Sequence, residues 1–161
     1  MTTLVSAVAL PKDSRLWGYK HPKDFMDCFC VIANMPARQA AEIVVNFPVW
    51  ARVLIFIRYI MTTPFGLDQD GPTAADKLGP FPVEMTSDTE VVAGFNDKHL
   101  NFRVSVVSNE GRIYLATWVH THNLLGRAYL KMIMPFHILI ARNALARVAK
   151  QNPTAYSGKS L

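Results

Sequence analysis

Residues 121–141, "THNLLGRAYLKMIMPFHILIA", decide how this chain folds. The stretch leaves a strand and enters a helix. Asn123 suits the first position of that helix, where its side chain can accept from a free backbone donor of the first turn. From Leu125 a wide apolar face runs through Tyr129, Met132, Ile133, Phe136, Ile140 and Ala144. Arg127, Lys131 and Arg142 cluster on the opposite side, where Met134, Ile138 and Leu145 also fall. Pro135 has no backbone donor and predicts a kink or a split there.

Working back from this helix, the chain reads as a sheet. "RIYLATWVHTH" and "HLNFRVSVV" flank "SNEG", a hairpin turn. In the second, Leu100, Phe102, Val104 and Val106 take one face, and His99, Asn101, Arg103 and Ser105 the other. "EVVAGF" precedes the turn-like "NDKH", and "FPVEMTS", with its prolines, suits an edge. An antiparallel meander is predicted over about 81–121. Residues 68–80 read as a polar Gly/Pro loop. Before it, Asn34 and Pro36 open a short helix in "NMPARQAAEIVVNF". Pro48 leads into a second, where Trp50, Val53, Leu54, Ile57, Ile60 and Met61 recur at helical spacing. "FMDCFCVIA" at 25–33 is the first strand.

The predicted class is therefore α+β: a curved antiparallel sheet gripping a long C-terminal helix, with two short helices after the first strand. Only the final helix is long and apolar enough to cover the sheet. A chain of 161 residues, half of them apolar, fits a single domain over 1–161 with a real core. Residues 1–9 and 151–161 are expected to fray.

Composition excludes several functions. The apolar start has no basic residue before it, unlike a secretory signal. "VWARVLIFIRYIM" and "MIMPFHILIA" fall short of the roughly 20 apolar residues that cross a bilayer. The expectation is a soluble, cytoplasmic protein. Cys28 and Cys30 are the only cysteines; they support neither a disulfide framework nor a zinc site and are expected in the core. The net charge of +5 is uneven, since residues 111–161 hold seven basic residues and no acid. No dense basic run or aromatic platform indicates nucleic acid.

Polar residues near the predicted helix–sheet contact are the candidate sites. His120 and His122 share a strand face but lack the third donor that zinc requires, so no metal is expected. Asp97 beside His99 can orient an imidazole as a base. Tyr129 and Asn143 fall on the apolar helix face and His137 at its edge, where they can fix the head of a guest in an apolar pocket. Arg103, Trp118 and His120 are candidate lining residues on the strands. Arg127 is expected to anchor to Asp24 or Asp27.

The blocks "DFMDCF", "PFGL", "GFNDKHLNFRVSV" and "THNLLGRAYLKMIMPFH" resemble the bacterial domain-of-unknown-function family 2867, over about Leu10 to Arg147. The resemblance implies a START-type helix-grip fold, like that of polyketide cyclases and lipid-transfer domains. Some members follow a short-chain-dehydrogenase-like domain, but this chain has no G-x-G-x-x-G stretch, so no nicotinamide site is implied. His120 stands where an arginine is expected in relatives, against an obligatory histidine pair. Three functions are expected in order. The first is binding of a small apolar or amphipathic ligand between sheet and helix, through Arg103, Trp118, His120, Tyr129, His137 and Asn143, without a cofactor. The second is an enzyme on a polyketide-like or acyl substrate, with His99 as base and Asp97 orienting it. The third is an accessory domain that contacts a dehydrogenase-like partner, a second copy or a membrane surface.

Overall fold

The computed structural model describes residues 4–66 and 72–151. Seven strands form one antiparallel sheet: β1 (Ser6–Ala7), β2 (Phe25–Ile32), β3 (Lys77–Leu78), β4 (Phe81–Thr86), β5 (Glu90–Asn96), β6 (Leu100–Asn109) and β7 (Arg112–Thr121). Their order is β1-β2-β7-β6-β5-β4-β3. Two helices, α1 (Ala37–Val45) and α2 (Val49–Thr62), follow β2, and α3 (Leu124–Lys150) closes the chain against the sheet in a helix-grip-like arrangement. The β6–β7 turn places Glu110 and Gly111 at φ 49° and 72°, the left-handed pair of a two-residue hairpin.

Strand alternation divides the residues between two faces. Phe29, Val31, Val91, Val106 and Leu115 point inward, where they pack with α1 and α3. The outer face carries Cys28, Ala116 and Trp118, covered by Leu10 and Leu16 of the N-terminal segment. There the buried Glu90 accepts from Ser14 Oγ at 2.7 Å, Ser105 Oγ at 2.6 Å and the Arg15 amide at 2.9 Å. Burial pushes the Cys28 thiol up to about 12, so it stays a protonated core group.

Asn123 caps α3 as its sequence implies: Oδ1 accepts from the Gly126 amide at 2.9 Å. Gly126 lies against the turn before β6, where an added Cβ would meet the His99 carbonyl oxygen at 2.3 Å. Farther along, Ala141, Ala144, Leu145 and Val148 are buried with α1 and the inner face. Arg147 ties the two helices together. Its guanidinium donates to the Ile43 carbonyl at 2.7 Å, to Val44 at 3.2 Å and to Asn46, satisfying the carbonyls that α1 leaves open at its end.

Several expectations are corrected. Pro135 does not split α3, which runs through it for 27 residues. Leu145, assigned to the basic side, is fully buried, because α1 covers a flank that a single sheet contact would leave open. Asn34 does not cap α1; Pro36 holds that position. Part of the loop expected at 68–80 pairs as β3 with β4, and residues 68–71 lie outside the described residues. Ser6–Ala7 of the expected N-terminal fray pairs with β2. Residues 152–161 of the other tail lie outside the described residues. The α2 residues that recur at helical spacing, Trp50, Val53, Ile57 and Ile60, are exposed; the Met61 side chain lies outside the described residues. By length and composition α3 can cross a bilayer, as can α1 and α2 together if their 68° bend is ignored, unlike the shorter stretches read from the sequence. Here α3 lies against the sheet and α1.

The seat of α3 can be probed at its first turn. Gly126→Ala is expected to lower stability by about 2 kcal/mol, because the His99 carbonyl cannot yield without moving the turn. Urea unfolding monitored by circular dichroism checks this.

Candidate functional site

The inner face and α3 do not meet along their whole length. Between them lies a cavity of about 520 Å³, a size that suits a small organic molecule. Val91, Ala93, Val104 and Val106 form its sheet wall, and Ile133, Ile140 and Ala144 its α3 wall. Ala41 and Val44 of α1 and Leu54 of α2 close the side. The sheet wall follows from alternation: one apolar residue in every two points inward. Helix α2 forms a flap over the edge. Its Arg58 Nε donates to the Tyr129 hydroxyl of α3, and the guanidinium lies 5.4 Å from the Tyr129 ring centre.

Among the described residues, five side chains with polar atoms line this largely hydrocarbon space: Arg58, Asp97, Thr117, Tyr129 and His137. Of the residues singled out in the sequence, Asp97, Tyr129 and His137 are thus brought together around one cavity. Asp97 Oδ1 accepts from the Lys98 amide at 2.5 Å. His99 turns to the start of α3, where Nδ1 accepts from Asn123 Nδ2 at 3.0 Å. It holds the helix cap, a structural use of the nitrogen that a general base would need free.

The other candidates lie elsewhere. Arg103, Trp118 and His120 are corrected from lining residues to outer-face residues, by the same alternation that sends Phe102, Thr117 and Val119 inward. Arg103 pairs with Glu84 at 2.7 Å, donates to Asn96 Oδ1 at 3.0 Å and lies over the Tyr19 ring. Burial raises the Glu84 carboxyl, but hydrogen bonds from Arg103 and Tyr19 outweigh this and hold it below the usual range. Asn143 accepts from Arg147 Nε at 3.2 Å and supports the α1–α3 joint instead of lining the cavity. Arg127 is exposed and makes no ion pair with Asp24 or Asp27. His122 Nε2 lies 2.9 Å from Asn101 Oδ1. Among the described residues, no group of three or more His, Cys, Asp or Glu side chains is placed to hold a metal ion.

Three lining or supporting residues were not among the site candidates read from the sequence. Arg58 sits within the apolar stretch "VWARVLIFIRYIM", where helical spacing alone gives it no role. Thr117 follows from the inward parity of Leu115 and Val119. Asp27 lies between Phe25 and Phe29 on the inward face of β2 and meets His137 of α3: His137 Nε2 is 2.9 Å from Asp27 Oδ2. An acid on the apolar side of a strand was the available signal.

On the outer face Asp24 collects His120 Nδ1 at 2.6 Å, Trp118 Nε1 at 2.9 Å and the His21 amide at 2.9 Å. Burial pushes its carboxyl up, but these hydrogen bonds outweigh burial and bring it below its ordinary value of 3.8. A carboxyl held lower in the folded state than in the unfolded state stabilises the fold above the unfolded value and loses that contribution as the pH falls through the folded one. Asp24→Asn is therefore expected to be less stable than the wild type at pH 7, with the gap closing below about 3.8. Urea midpoints measured from pH 7 to pH 2.5 check the direction.

No curated protein and no solved structure gives a significant match to this chain. A family model described as "Protein of unknown function (DUF2867)" matches residues 21–144. These residues run from just before β2 to the buried Ala144 of α3 and include all of the cavity wall named above. The chain belongs to the DUF2867 family.

Proposed function

We propose that this domain binds a small apolar or amphipathic molecule in the cavity between the sheet and α3. The observation that carries this reading is the cavity itself, about 520 Å³ with walls almost entirely of hydrocarbon. Water gains few hydrogen bonds in such a space, so an apolar guest displaces it favourably. The few polar side chains in the walls can orient a guest. A reaction on an acyl or polyketide-like substrate through His99 has less support, because its Nδ1 is engaged by Asn123.

A second reading, contact with an anionic membrane, is favoured by a separate observation. Ile57, Met132 and Phe136 line the cavity and are 45%, 44% and 47% exposed, so its mouth opens between α2 and α3. Beside them Phe56 and Ile60 are 61% and 57% exposed. These two helices carry Arg52, Arg58, Arg127, Lys131 and Arg142 and no acid. Apolar groups interspersed with cations suit an anionic lipid surface.

Two measurements separate these readings. Displacement of anilinonaphthalene sulfonate by a panel of apolar ligands reports the cavity. Ile140→Trp, which fills it, is expected to weaken dye binding roughly tenfold with little change in Tm; undiminished binding would remove the cavity from the explanation. Co-sedimentation with phosphatidylglycerol vesicles reports the surface. Binding is expected to weaken with salt and to fall in Phe56→Ser/Ile60→Ser. A concentration-dependent dimer that the same double variant abolishes would instead assign the patch to a second copy.

A further inference from the structure

The one acid on the inner face of β2 is set against a histidine of α3. Asp27 Oδ2 lies 2.9 Å from His137 Nε2. Across the β2–β7 pairing Asp27 faces Thr117, and both Thr117 and His137 line the cavity. The Phe25 ring meets the His137 ring edge-on, with centres 6.4 Å apart. Two hydrogen-bonding positions of this pair remain open among the described residues. Asp27 Oδ1 is buried and has no partner. His137 makes its hydrogen bond through Nε2, and Nδ1 has none.

Their chemistry is set by the bond between them. A carboxylate only accepts, so the proton shared with Asp27 stays on Nε2. In the neutral ring Nδ1 then carries a lone pair. Both open positions are therefore acceptors: Nδ1 belongs to a ring that lines the cavity, and Asp27 Oδ1 is buried behind it. An acceptor that a guest covers without supplying a donor loses its hydrogen bonding to water, and that loss opposes binding. A guest that brings a donor makes good that loss; a guest that brings another acceptor does not.

We infer that the Asp27–His137 pair is a recognition point for a hydroxyl group on an otherwise apolar guest. The substrate class is an apolar compound bearing an alcohol, phenol or enol, and the pair selects it over the ether or the bare hydrocarbon. Asp27 is the positioning residue, since it fixes which imidazole nitrogen faces the guest; His137 makes the contact. This rests on the cavity-binding reading above.

The test compares 2-naphthol with 2-methoxynaphthalene, which has the same ring and an oxygen acceptor but no donor. Affinities come from displacement of anilinonaphthalene sulfonate at pH 8, above the ordinary imidazole range. The naphthol is expected to bind roughly tenfold more tightly to the wild type, although the ether is the more apolar molecule. In Asp27→Asn, whose amide can donate to Nε2 and move the ring proton to Nδ1, that ratio is expected to fall to about one, because Nδ1–H then offers a donor that either oxygen can accept. His137→Phe is expected to do the same, and Asp27→Asn keeps the test open should that variant fold poorly. A merely structural pair would change both affinities together or neither. Equal binding of the two probes to the wild type overturns this inference and leaves the cavity reading intact. Binding of neither probe overturns both.

Discussion

The structure depends on one packing contact: Ala141, Ala144, Leu145 and Val148 of α3 pressed between α1 and the inner sheet face. Small residues at 141 and 144 let the helix come close, and Leu145 and Val148 fill the angle between helix and sheet. Arg147 secures the joint from outside by satisfying the open carbonyls at the end of α1. At its other end α3 rests on the turn around His99, through a glycine with no side chain to keep it off. Held at both ends, the helix spans the sheet without filling the middle. The cavity is what remains between two fixed supports.

Much of this was legible because it follows from periodicity. The alternation of Leu100, Phe102, Val104 and Val106 marked the inner face, "SNEG" the hairpin and Asn123 the helix start. Those signals depend on neighbours in sequence. What the sequence concealed depends on partners far away in the chain. Leu145 reads as surface unless α1 is known to cover that flank. Arg127 looked like the anchor for Asp24 and Asp27, but geometry gave Asp27 to His137 and Asp24 to Trp118 and His120.

The candidate site was half legible for the same reason. Tyr129 and His137 were found because one helix face holds them. Arg103 and Trp118 were misassigned because polar or aromatic character was given more weight than parity. Strand parity alone sends Arg103 outward beside Ser105, and Trp118 outward beside Ala116. The outer face is itself a second, smaller interior, closed by the N-terminal segment and organised around Glu90, Glu84 and Asp24. Polar residues that look functional in a sequence are here the means of closing a second layer over a sheet.

The pairing of β2 with β7 carries a consequence for how the chain reaches this state. Phe25 aligns with Val119 and Ile32 with Arg112, so β2 finds its neighbour only after four other strands and two helices have been made. During synthesis the meander from β4 to β7 has local partners, whereas Phe29, Val31 and the alanines of α1 wait without cover until β7 and α3 emerge. Distant pairing of this kind slows folding and lengthens the exposure of sticky surface. The nascent chain therefore leaves apolar surface uncovered longest in its first-made half.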